Sequence, residues 1–131
     1  MTVIVLDMQS VLYARLLERA MLQELDNHQI IISKTPNLTK DICEIHKPRV
    51  VIMEVTGYSP WMLNDRLDLS NKIKKNHPEC KIIFMTDGDA DKKLAEQIVK
   101  AKQSGYADSI LFTSVSENFL AAVITSLENQ E

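Results

Sequence analysis

Three carboxylates in this chain sit where a short apolar run gives way to a loop. Asp7 closes "TVIVLD", Glu54 closes "RVVIME", and Asp87 follows "KIIFMT". Hydroxyls stand at the same kind of boundary, with Thr86 just before Asp87 and Thr113 at the end of "SILFT". Carboxylate oxygens gathered in one place suit a hard cation, so Asp7, Glu54 and Asp87 together would offer ligands to Mg2+ or Ca2+. Glu54 is the most telling of the three. Glutamate is depleted in strands, and burying a polar group without a partner costs roughly 2–7 kcal/mol, a charge more. A glutamate there is at a solvent-facing strand end, paired, or part of a site. Threonine at a strand end follows from β-propensity alone, so Thr86 and Thr113 gain meaning only from their company.

Other chemistries find little support. His28, His46 and His77 fall in loops or at helix ends, with no serine or cysteine pattern that would make a triad. With three glycines in all, the chain has no glycine-rich phosphate loop. Cys43 and Cys80 lack metal-ligand spacing and read as reduced, partly buried thiols. The net charge of −3 gives no electrostatic support for nucleic-acid binding, although "KIKK" at 72–75 is a local basic patch. No apolar run approaches the ~20 residues that span a bilayer, so no membrane role is expected. The start, "MTVIVLDMQS", has no basic segment before its apolar run, unlike a signal peptide. A cytoplasmic location is the expectation. Trp61, beside Pro60, is either a packing anchor or an exposed contact for a partner.

The elements that must position these residues can be read from periodicity. A chain of 131 residues predicts one domain, 1–131. Apolar runs predict strands over 2–7, 29–33, 49–55, 81–86 and 109–113. Between them the spacing is helical. Ser10 is placed to cap the first helix, where Leu12, Leu16 and Ala20 stack, as do Tyr13, Leu17 and Met21. Leu38, Ile42 and Ile45 mark a second helix, stopped by Pro48. Ser59-Pro60 is a good start for a third, with Leu63, Leu67 and Ile73 as its inner stripe. Leu94, Ile98 and Ala101 line a fourth, closed by Gly105. Ser114 and Glu117 have capping-box spacing before a fifth lined by Leu120, Ile124 and Leu127.

Five strands alternating with five helices, several strands apolar throughout, argue for a parallel sheet covered on both faces. In such a sheet, ligands bind beyond the carboxyl ends of the strands. That edge would collect Asp7, Glu54, Thr86, Asp87 and Thr113. Lys34, at the end of the second strand, is a candidate to offset their charge.

Over essentially the full chain, the sequence resembles the receiver domain of bacterial two-component response regulators. "VIVLDMQSVLYARLL" resembles the family's first strand, acidic pair and first helix. "KPRVVIMEVTG" resembles the run that ends in the phosphoacceptor aspartate, "KIIFMTD" the fourth strand with its Ser/Thr, and "SGYADSILFTS" the stretch leading through the fifth strand. The resemblance implies a three-layer α/β/α, flavodoxin-like, doubly wound sheet of five parallel strands in order 2-1-3-4-5. It implies a non-enzymatic signalling module in a phosphorelay, with a sensor kinase, an output domain or a second copy as protein partner. A regulatory domain preceding a DNA-binding domain is a familiar setting for it. The competing reading is a flavodoxin-like domain binding phosphate, metal or a small ligand at the same edge.

The departures from the family pattern decide what is expected. Asp7 keeps the first acid, but Met8 stands where the second should be. Glu54 replaces the phosphoacceptor aspartate, Asp87 replaces a small residue after Thr86, and Thr113 replaces the lysine. Phosphoryl transfer is mostly positioning and charge stabilisation. The acceptor is displaced by one methylene, roughly 1.5 Å, and errors of about 1 Å can cost a hundredfold. These losses predict a module that works without conventional phosphorylation. Asp7 and Glu54 remain the candidate ligands for a residual Mg2+.

Overall fold

The computed structural model describes residues 1–87, 91–113 and 117–129, with side chains of the last helix described from Leu120 onward. Five strands and five helices alternate strictly: β1 Thr2–Asp7, α1 Val11–Glu24, β2 His28–Ser33, α2 Pro36–His46, β3 Val50–Glu54, α3 Leu63–Asn76, β4 Lys81–Thr86, α4 Lys92–Gln103, β5 Ser109–Phe112 and α5 Glu117–Glu128. The sheet is all parallel, in the order β2-β1-β3-β4-β5. This is the expected doubly wound architecture.

Side chains alternate across each strand, which divides the interior into two cores. Ile4, Leu6, Val50, Ile52, Ile83 and Met85 face α1 and α5. Val5, Val51, Met53, Ile82 and Phe84 face α2, α3 and α4. Both faces are covered, and so β1, β3 and β4 read as unbroken apolar runs instead of alternating ones.

In α1 one of the two expected stripes turns inward and the other outward, and in α2 the inward face differs from the expected stripe. In α1 the buried residues are Ala14, Leu17 and Met21, while Leu12 and Leu16 are 74% and 59% exposed. Both stripes have helical spacing; the one of Leu17 and Met21 is buried, with Tyr13 packed against the same core. In α2 the buried pair is Thr39 and Cys43, and Leu38 and Ile45 lie outside. Helix α3 begins at Leu63, not at Ser59-Pro60. Thr56 N donates to the Trp61 carbonyl and Trp61 N to the Tyr58 carbonyl, and these bonds hold 56–61 in a turn.

Caps behave largely as expected. Ser10 Oγ accepts from Tyr13 N. Gly105 follows α4 at φ 90°, a left-handed conformation that favours glycine. The α5 stripe of Leu120, Ile124 and Leu127 is buried. The Ser114–Glu117 capping box lies outside the described residues.

Candidate functional site

The carboxyl edge of β1 and β3 holds Asp7 and Glu54, but the two side chains part company. Asp7 pairs in register with Met53, one residue before Glu54. Alternation therefore sends Asp7 into the α2/α3 layer and Glu54 towards α1.

Asp7 is fully buried, and so is the side chain that meets it, Arg66 of α3. Arg66 Nη1 donates to Asp7 Oδ2 at 2.8 Å and Nη2 to Oδ1 at 3.1 Å, a bidentate fork. Nη2 also donates to the Asp7 carbonyl at 3.0 Å, and Nε to the Glu54 carbonyl at 2.8 Å. One guanidinium thus ties the ends of β1 and β3 to α3. The remaining capacity of Oδ2 is taken by Thr39 of α2, whose hydroxyl donates at 2.6 Å. With its own proton on Asp7, Thr39 Oγ1 accepts at 2.7 Å from Ser33 Oγ at the end of β2, and Ser33 shares its one proton with the Thr35 carbonyl at 2.8 Å. This network satisfies its members, the condition under which a buried ion pair is tolerated.

Arg66 was not among the expected site residues, although its helical phase was available. It is spaced three and four residues from Leu69 and Ser70 and seven from Ile73, so it belongs to the buried face of α3. Lys34, the expected counter-charge, is exposed.

Glu54 is half-buried, and its Oε1 accepts from Gln9 N at 2.8 Å in the loop leading to α1. Met8 is buried in the core facing α1 and α5. Thr86 donates its hydroxyl to the Val55 carbonyl at 3.2 Å. Thr113 is held by its backbone: its N–H donates to the Thr86 carbonyl and its carbonyl accepts from the Tyr13 hydroxyl. Asp87 is exposed at the end of β4. Trp61 is half-buried, and its Nε1 is sheltered without a hydrogen-bond partner.

Both oxygens of Asp7 already receive charged or hydroxyl donors. The neighbouring Met8 side chain offers a buried thioether and no oxygen ligand. Among the described residues no three His, Cys, Asp or Glu side chains are grouped to hold a metal ion. Among the described residues, the groups around Asp7 fit a guanidinium and do not fit Mg2+.

Elsewhere, Cys43 and Cys80 are buried and free. Burial, then the charge of Asp7, pushes the Cys43 thiol up to about 12. Burial first and the neighbouring Cys43 next push the Cys80 thiol up to about 12. His28 is not simply a surface residue: its ring bridges the Asp26 carbonyl and the Glu128 carboxylate at the end of α5. No described helix is long and apolar enough to cross a membrane.

No family model matches the chain, and no curated protein matches it. Solved structures do. A response regulator from Thermotoga maritima superposes with a TM-score of 0.76 at 16% identity, over 98% of both chains. A LuxR-family DNA-binding response regulator from Staphylococcus aureus gives 0.79 at 19% identity, over 98% of this chain and all of the other. An orphan response regulator of H. pylori gives 0.76 at 15%, over 98% and 97%. The chain has the receiver fold.

Proposed function

We propose that this chain is a receiver-like, non-enzymatic signalling module of the two-component type, acting through protein contacts without a phosphoryl switch. One observation carries the reading. The acid retained from the receiver pattern, Asp7, is neutralised inside the protein by Arg66 and Thr39. In a phosphoryl-accepting site, cations must be free to meet charge as it develops on the transferring group. Here the charge of Arg66 is already committed to a buried carboxylate. Glu54 is likewise engaged, with Oε1 on Gln9 N, and at the end of β5 the position of the usual lysine is Thr113.

The receiver fold, shared with proteins described as response regulators, supports the class of function. The charge arrangement supports independence from phosphorylation. A partner kinase or an output domain would be engaged through the outer faces of the helices. The test is incubation with acetyl phosphate and Mg2+, followed by intact-mass measurement of wild type and Glu54→Asp. Neither is expected to gain a phosphoryl group. A stable acyl phosphate on the wild type would overturn the reading; one on Glu54→Asp alone would show that the methylene, and not Arg66, is the block.

A further inference from the structure

Helices α3 and α4 leave an open cleft of about 660 Å³ between them. Its floor is apolar, formed by Leu63 and Leu67 of α3 and Leu94 of α4. All three are only half-buried by the fold. One wall carries Lys93 and Lys100. Seven residues along a helix are two turns, about 10 Å, so both ammonium groups project from one side of the cleft. The carboxylate in this lining, Asp91, is engaged as the N-cap of α4, accepting from Leu94 N at 2.9 Å.

Charge is unevenly spread over the molecule. The chain carries −3 overall, yet α4 has Lys92, Lys93, Lys100 and Lys102 against Glu96 alone. An acidic protein has placed a basic helix beside an apolar floor. A nucleic acid would call for a row of aromatic stacking platforms, whereas the floor is leucine with Tyr106 at its end. Leucines of both helices, bordered on the α4 side by lysines two turns apart, match a helix-in-groove partner, read through apolar anchors at i, i+3 or i+4 and i+7.

We propose that the α3–α4 cleft docks an acidic amphipathic helix of a partner protein. The partner's apolar stripe lies on Leu63, Leu67 and Leu94, and its carboxylates, two turns apart, meet Lys93 and Lys100. This surface is separate from the Asp7–Arg66 network and does not depend on whether the chain is phosphorylated.

The test uses the whole chain and three probes: a synthetic helical peptide with leucines at i, i+4 and i+7 and glutamates elsewhere, its lysine-for-glutamate counterpart, and a single-stranded DNA oligomer. Amide chemical shifts are followed during titration. The acidic peptide is expected to shift resonances of α3 and α4 around Leu67, Leu94 and Lys100, with binding weakened by salt. The double variant K93E/K100E, changed at two exposed positions, should lose on the order of tenfold in affinity. Leu67→Ser should weaken binding while the spectrum stays folded. Shifts confined to other surfaces, equal binding of the basic peptide, DNA binding in place of the acidic peptide, or an unaffected K93E/K100E would each overturn the proposal.

Discussion

Asp7 and Glu54 end neighbouring strands one register step apart, and their surroundings could hardly differ more. Asp7 is enclosed, with a guanidinium and a hydroxyl on its oxygens. Glu54 is half-open and rests on one backbone N–H. The same residue class at the same sheet edge has become a structural keystone on one face and a loop tether on the other. What separates them is the helix layer each one faces. Strand alternation turned Asp7 towards the helix that carries Arg66, and turned Glu54 away from it. Chemistry at a sheet edge is therefore decided by which face a side chain leaves as much as by which strand it ends.

The sharpest way to break this contrast is Arg66→Met. It strands a buried carboxylate, and loss of one partner of such a pair costs about 3–5 kcal/mol. Urea unfolding should show a loss of that size. The double variant Asp7→Leu with Arg66→Met should regain much of it, because an apolar pair of similar volume replaces a buried ion pair at little cost. If the double variant is no more stable than Arg66→Met, Asp7 is not the partner that matters. Thr39→Val comes next, at about 1–3 kcal/mol, for one lost hydrogen bond to a buried charge. Glu54→Gln should change stability by less than about 1 kcal/mol, since an amide oxygen still accepts from Gln9 N. Equal losses for Thr39→Val and Glu54→Gln would erase the distinction between the two edges.

The smallest effect at neutral pH concerns the thiols on the Asp7 side. Cys43 and Cys80 are held near 12 against an ordinary 9.0. A thiol that binds its proton more tightly when folded contributes stability fully below pH 9. That contribution fades as pH rises from 9 towards 12, when the unfolded chain alone ionises. Native protein should resist thiol reagents at pH 8 and lose stability progressively above 9. Rapid labelling of folded protein at pH 8 would contradict the burial of these groups.

Much of the fold was legible because strand and helix periods differ and alternate five times. The inner faces of α1 and α2 were not. Leu12 and Leu16 form as good a stripe as Leu17 and Met21, and periodicity cannot rank two stripes on one helix. In α2 the buried position went to Thr39, a residue a hydropathy stripe passes over, because its hydroxyl serves Asp7. The candidate site was legible as a set of strand ends. Its governing interaction was hidden, since Arg66 lies 59 residues from Asp7 in sequence and only the register and packing of α3 bring them together. An arginine in phase with Leu69 and Ile73 was the available signal.

The buried acid at the carboxyl edge, Asp7, already holds a cation of its own in Arg66. The most direct measurement is a titration of the wild-type chain with Mg2+ and then beryllofluoride, read by backbone amide shifts. A well-dispersed spectrum is expected, with Asp7, Glu54 and Thr86 unmoved at both steps. Saturable shifts centred on those three residues would contradict it, and would restore the edge as a working phosphoryl site.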